Sequence, residues 1–198
     1  MLGINKVVPL LNKGQYLFNG NKTNKFEVNV LVHLDAGYNL ARWMMNDEAE
    51  AKDVVQTAAM RALTYVDSMR ADEAKAWFMG IVRNCCITAL NMRNKQGKNV
   101  DFDSLVGGND ELETLGASSQ IPEQLMMTRE NRAFVNQALA ALPVGYREVL
   151  ILREMEDLSY EKIAELIGVP AGTVMSRLSR ARLSFKEVFM AITNGESS

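Results

Sequence analysis

Three observations predict an all-α protein made of two small helical domains joined by a flexible acidic linker, the C-terminal domain a helix-turn-helix. Apolar residues recur at helical spacing in both halves of the chain, and no segment alternates with a period of two between hairpin turns. Residues 99–125 interrupt that pattern with Gly107-Gly108, Gly116, Ser118-Ser119, Pro122 and six acidic residues (Asp101, Asp103, Asp110, Glu111, Glu113, Glu123). The stretch from Asp157 to Val188 carries a helix cap, a turn glycine and a second helix start in succession. A hydrophobic content of 47% in 198 residues excludes a wholly disordered chain and is enough to build a core.

Residues 1–25 are rich in Asn and Lys, contain Gly3, Gly14 and Gly20, and read as a loosely structured extension. The helical pattern begins at Phe26, opening a first domain over residues 26–98. Asp47 or Asn46 can cap a helix that runs through Val66 with Val54, Val55, Ala58, Ala62 and Val66 on its inner stripe. A second helix carries Trp77, Ile81, Val82, Cys85, Ala89 and Leu90, with Trp77 and Ile81 expected in the core, and fades at Asn94 to Gly97. The linker over 99–125 is too polar to bury the surface that would offset its ordering entropy. Helices resume in a second domain over 126–190. One presents Phe134, Val135, Ala138 and Leu142; Pro143 then starts another with Tyr146, Val149, Leu150 and Arg153 on one side. Residues 191–198 read as a tail.

In the helix-turn-helix, the Ser159 hydroxyl can accept an orphan amide of a short helix from Tyr160 to Ile167, whose inner stripe is Ile163, Ala164 and Ile167. Gly168 permits the tight turn and Pro170 favours the next helix start. At about 100° per residue, Val174, Leu178, Ala181 and Phe185 share the packing face of the second helix. Ser176, Ser179 and Arg180 lie far from it, Met175 and Arg182 on one flank and Arg177 nearer the other. A helix buried on one side and bearing Ser and Arg without acids on the other suits the major groove, because arginine forks onto guanine or clamps phosphate and serine reaches either.

The formal net charge of −2 conceals segregation. Residues 74–98 carry five basic residues (Lys75, Arg83, Arg93, Lys95, Lys98) and no acid, and residues 171–186 carry four (Arg177, Arg180, Arg182, Lys186) and no acid. The acids gather in the linker and in the remaining surface. No run is long enough to span a bilayer and no signal peptide is visible, so no membrane insertion is expected. The only cysteines are the adjacent Cys85 and Cys86, which favour a reducing, cytoplasmic setting. No phosphate-binding loop, nucleophile elbow or His/Cys metal cluster is present, so neither an enzyme nor a cofactor or metal is expected.

The residues Leu142-Pro143, Leu152-Arg153-Glu154, Leu158-Ser159-Tyr160, Ile163-Ala164, Gly172-Thr173-Val174, Ser176-Arg177 and Arg180-Ala181-Arg182 resemble the C-terminal domain of the extracytoplasmic-function group of bacterial RNA polymerase sigma factors. Ala49 to Leu63 resembles that family's helix that docks on the polymerase clamp, and Ala74 to Leu90 its segment that reads and melts the promoter −10 element. The resemblance implies core RNA polymerase and promoter DNA as partners, with an anti-sigma factor or other regulator. It implies that Asp53, Gln56, Thr57 and Met60 meet the polymerase clamp. It implies that Asn84 captures a flipped non-template base, an amide offering a base edge both donors and an acceptor. Lys75, Arg83, Arg93 and Lys95 would hold phosphates nearby. The acidic linker would follow a path through polymerase otherwise taken by nucleic acid. Met175, Ser176, Arg177, Ser179, Arg180, Arg182 and Lys186 would engage the −35 duplex.

Four positions depart from the family pattern. Thr57 stands where Glu is usual and Lys52 where an acid is usual, making the docking face less acidic. Either this is drift on a tolerant face, or phosphorylation of Thr57 restores the charge. Met175 replaces a common basic residue and Ser179 a larger side chain, which points to a different −35 preference. The alternative to a sigma factor is a dimeric helix-turn-helix regulator that binds duplex DNA without core polymerase.

Overall fold

The computed structural model describes residues 20–95 and 129–195, and every regular element among them is helical. They fall into two compact units, one within residues 1–99 and one within 100–198. The acidic linker expected over 99–125 lies outside the described residues, as do residues 1–19.

The first unit begins with α1 (Gly20–Asn29), so helix starts six residues before Phe26 and the expected extension over 1–25 is corrected at its end. The reason is long-range. Lys22 pairs with the Asp67 carboxylate at 2.8 Å, and the Lys25 ammonium donates to the carbonyls of Asp67 and Met69 at 3.4 and 3.2 Å. These lysines hold α1 onto a turn more than forty residues away, while Phe26 and Val30 are buried beneath it.

A single 3-10 turn (Leu31–His33) leads into α2 (Leu34–Met45). Asn46 closes α2 in the left-handed region (φ +53°), its N–H bonded to the Arg42 carbonyl at 3.0 Å. Asp47 then caps α3 (Glu48–Tyr65), its carboxylate accepting from the Glu50 N–H at 2.9 Å. Of the two candidate caps, Asp47 is the one used. Glu48 and Glu50 add negative charge to the first turn of α3, where the helix dipole favours it.

The inner face of α3 is small: Ala51, Val54, Val55, Ala58, Ala59 and Ala62 are buried. That lets α2, α3 and α4 (Ala74–Lys95) pack mutually around one core. The closest approach is at Gly37 of α2. A Cβ there would stand 2.7 Å from Phe78 Cε1 and 3.1 Å from Val82 Cγ2. Phe78, Met79, Val82, Cys86 and Leu90 form the buried side of α4. The expectation that Trp77 and Ile81 sit in the core is corrected: both are only half-buried, because Phe78 and Met79 take the inward positions and rotate them toward solvent.

The second unit comprises α5 (Arg129–Ala141), α6 (Val144–Leu150), a π-helical turn (Ile151–Met155), α7 (Tyr160–Ile167) and α8 (Ala171–Gly195). Pro143 precedes α6 with its carbonyl accepting from Tyr146 and Arg147. Val174, Leu178, Ala181, Phe185 and Phe189 of α8 are buried against α5, α6 and α7. Phe185 and Phe189 stack with centroids 5.9 Å apart, and α8 continues to Gly195, past the expected domain end at 190.

Candidate nucleic-acid interface

The four residues expected to meet the polymerase clamp lie on α3. Asp53, Gln56 and Thr57 are exposed and Met60 is half-buried. Their spacing places all four within about 60° of Asp53 around the helix. Lys52 is exposed beside them. One turn beyond Thr57, at the edge of the same face, Arg61 reaches Cys85 of α4. Burial pushes the Cys85 thiol up, and Arg61 offsets only part of that. A raised thiol is a poor nucleophile, so Cys85 and the fully buried Cys86 behave as small core residues.

On α4, Asn84 is exposed, with Trp77 and Ile81 half-buried and Thr88 exposed along the same row. Residues at i, i+4, i+7 and i+11 share one helix face. Thr88 donates its hydroxyl to the Asn84 backbone carbonyl at 2.8 Å, a bond that does not involve the Asn84 side-chain amide. The sequence reading missed Trp77 and Ile81 as surface residues of this row, although the i, i+4, i+7 spacing with Asn84 was available to find them.

The basic residues expected to flank Asn84 are not gathered around it. Lys75 and Arg93 lie roughly opposite Asn84 around the helix. Arg93 donates to Glu50 Oε2 at 2.8 Å and to the Met45 carbonyl at 3.3 Å. It thereby ties the end of α4 to the first turn of α3 and to the last residue of α2, a partner the sequence did not reveal. Arg83 is half-buried. The side chain of Lys95 lies outside the described residues.

In the second unit the local chemistry of the helix-turn-helix follows the sequence closely. Ser159 Oγ accepts from the Lys162 N–H at 3.2 Å and caps α7. Gly168 adopts φ +76°, a left-handed conformation that glycine reaches without steric cost, and its N–H bonds the Ala164 carbonyl at 2.9 Å. The Pro170 carbonyl accepts from Thr173 and Val174, starting α8.

Along α8, Met175 and Lys186 are exposed, and Ser176, Arg177, Ser179 and Arg180 are half-buried. Ser176 donates its hydroxyl to the Thr173 carbonyl at 3.1 Å. Arg182 is paired within the unit. Its Nε and Nη2 both donate to Glu154 Oε1 of the π-helical turn, the first at 3.0 Å, and its side chain is only 16% exposed. Burial pulls this guanidinium down, but Glu154 and then Tyr160 more than offset it. Arg153 completes the clasp: it donates to the Leu158 carbonyl at 2.9 Å and lies 5.1 Å over the Tyr160 ring. Glu154 and Tyr160 were therefore missed as partners of the recognition helix. Leu183, on the outward side of α8, is 53% exposed.

Both helical units match known proteins. The family profile "Sigma-70 region 2" matches residues 30–96, and "Sigma-70, region 4" matches residues 135–184. The ECF RNA polymerase sigma-E factor of Escherichia coli strain K12 is 37% identical over 136 residues, covering 67% of this chain and 70% of that relative. The ECF RNA polymerase sigma factor SigW of Bacillus subtilis is 28% identical over 160 residues, covering 79% and 84%. Among solved structures, the sigma factor RpoE of Bartonella quintana, in complex with the anti-sigma factor NepR, matches with a TM-score of 0.63 at 26% identity, over 83% of this chain and 96% of that one. CnrH in complex with the cytosolic domain of CnrY has a TM-score of 0.52 at 21% identity, over 87% and 91%, and shares the fold. With both sigma-70 regions in order on one chain, this protein belongs to the extracytoplasmic-function sigma factors, which direct RNA polymerase to specific promoters.

Proposed function

We propose that the first unit docks on core RNA polymerase through Asp53, Gln56, Thr57 and Met60 of α3 and reads the −10 element through Asn84. The second unit engages the −35 duplex through α8. In this reading residues 26–98 carry docking and −10 recognition, 99–125 link, and 126–190 carry −35 recognition. The supporting observation is the exposed Asn84 in a row with Trp77, Ile81 and Thr88 on the face of α4 turned away from its core. An amide bordered by half-buried apolar side chains offers both hydrogen bonds to a base edge and surface for an unstacked base to lie against. The protein has no catalytic step of its own and acts in the cytoplasm alongside polymerase; no described helix is long and apolar enough to cross a membrane.

RpoE of Bartonella quintana is held by an anti-sigma factor, and a protein partner of that kind is our expectation for this chain. Thr57, exposed on the docking face, is the position where phosphorylation would return the negative charge that Thr57 and Lys52 withhold. The test of the function is transcription from genomic promoters by core polymerase with the full chain added. Promoter-specific transcripts that neither component makes alone are expected. Failure to initiate specifically at any promoter of its own genome would overturn the reading.

A further inference from the structure

The outward side of the recognition helix carries little that can fork onto guanine. With buried Val174 as the inward direction and about 100° per residue, Gly172, Ser176, Ser179 and Leu183 point most directly outward. Arg180 lies on one flank. Met175 lies on the other, which it shares with Arg182 and Lys186. Arg182 on that flank is held by Glu154. Lys186 lies eleven residues beyond Met175, about 16 Å along the axis. The first turns of a recognition helix are the part that meets base edges. On the Met175 flank those turns offer a thioether.

Met175 is 56% exposed, an apolar side chain on the surface with neither a core to fill nor a charge to snorkel. The major groove offers one apolar feature along the base edges, the thymine C5-methyl. Methionine, unbranched and with three rotatable bonds, can follow such a methyl without a fixed geometry. We propose that Met175 is a specificity-determining residue that reads a thymine methyl in the −35 duplex. The protein then selects T·A at a base pair where an arginine in this place would select guanine. This rests on the reading of α8 as the −35-binding helix.

The experiment uses holoenzyme assembled from core polymerase and the full chain, presented with promoters randomised over the −35 element. A thymine should be enriched at one position. Replacing that thymine by uracil keeps every hydrogen bond and removes only the methyl. Wild-type holoenzyme should then bind about fourfold more weakly, the effect of one unburied methyl group. Met175→Ala holoenzyme should bind the two duplexes equally, and Met175→Arg should move the selection toward guanine. Met175 is exposed and its substitution leaves the core intact, which matching thermal-unfolding midpoints verify. Equal wild-type affinity for uracil and thymine at every selected position, with promoter-specific transcription preserved, would overturn methyl reading alone. Absence of any selected sequence together with absence of specific transcripts would overturn the −35 reading on which it rests.

Discussion

Asn84 is the residue on which the −10 assignment turns, and its surroundings make its effect separable. It is exposed, and the Thr88 hydroxyl bonds its backbone carbonyl rather than its amide. In the proposed reading Asn84→Ala removes hydrogen bonds to the base edge and leaves the helix and the exposed face of α3 untouched. Loss of hydrogen bonds to a captured base corresponds to about 1–3 kcal/mol of discrimination, or roughly five- to over a hundredfold. Promoter opening by the variant holoenzyme should slow within that range in a fluorescence assay of strand separation, with core affinity unchanged in a binding titration. An unchanged opening rate would remove Asn84 from base capture. Arg93 behaves differently. Its ion pair with Glu50 makes it part of the packing between α3 and α4, so its loss would reduce stability as well as any DNA contact.

At the scale of elements, two contacts decide whether the helices stay where function needs them. Gly37 allows α2 and α4 to approach, with Phe78 filling the space a Cβ would take. Gly37→Ala forces a 2.7 Å contact, and overpacking of this kind costs about 1–3 kcal/mol, partly offset by the better helix propensity of alanine. Urea unfolding should show a lower midpoint with the same slope. The second contact is Arg182 to Glu154, which fixes the recognition helix to the π-helical turn. If Arg182 is a positioning residue, Glu154→Gln should weaken −35 binding although Glu154 carries no positive charge, and the swap Glu154→Arg with Arg182→Glu should recover part of it. If instead Arg182 clamps phosphate, Glu154→Gln releases it and binding tightens.

These elements also show what was legible in the sequence. Caps and turns were, because Asp47, Ser159, Gly168 and Pro170 act on backbone groups within a few residues. The inner stripes of α3 and α8 were, because helical periodicity is local. What escaped rests on partners distant along the chain. Lys25 meets carbonyls 42 and 44 residues away, Arg93 meets Glu50 at 43 and Arg182 meets Glu154 at 28. A basic residue read alone looks the same whether it will face phosphate or a carboxylate. Trp77 and Ile81 were misplaced for a related reason: α4 is apolar on most sides, so its period leaves the inward direction ambiguous until Phe78 and Gly37 meet.

For the whole molecule, the distribution of charge sets what the chain can do alone. Affinity for DNA comes largely from neutralised phosphates and counterion release, and a net charge of −2 gives no overall attraction. Two of its basic residues are moreover paired within the protein, Arg93 with Glu50 and Arg182 with Glu154. The isolated chain should therefore bind promoter duplex only in the non-specific range, with a Kd of roughly 10⁻⁴–10⁻⁶ M at physiological salt. In the proposed reading, docking on polymerase changes this by holding α4 and α8 on one scaffold with the promoter. With their spacing set by the scaffold, the effective concentration of the second contact rises and selectivity appears without any new residue. Arg180, on the flank of α8 away from Glu154, is the test of how many phosphates the helix itself contacts. If it clamps one, Arg180→Ala holoenzyme should show a log–log salt dependence shallower by about one unit. Sequence preference within the −35 element should be retained, because a phosphate contact carries no base information. A slope equal to wild type with altered base preference would instead place Arg180 on a base edge.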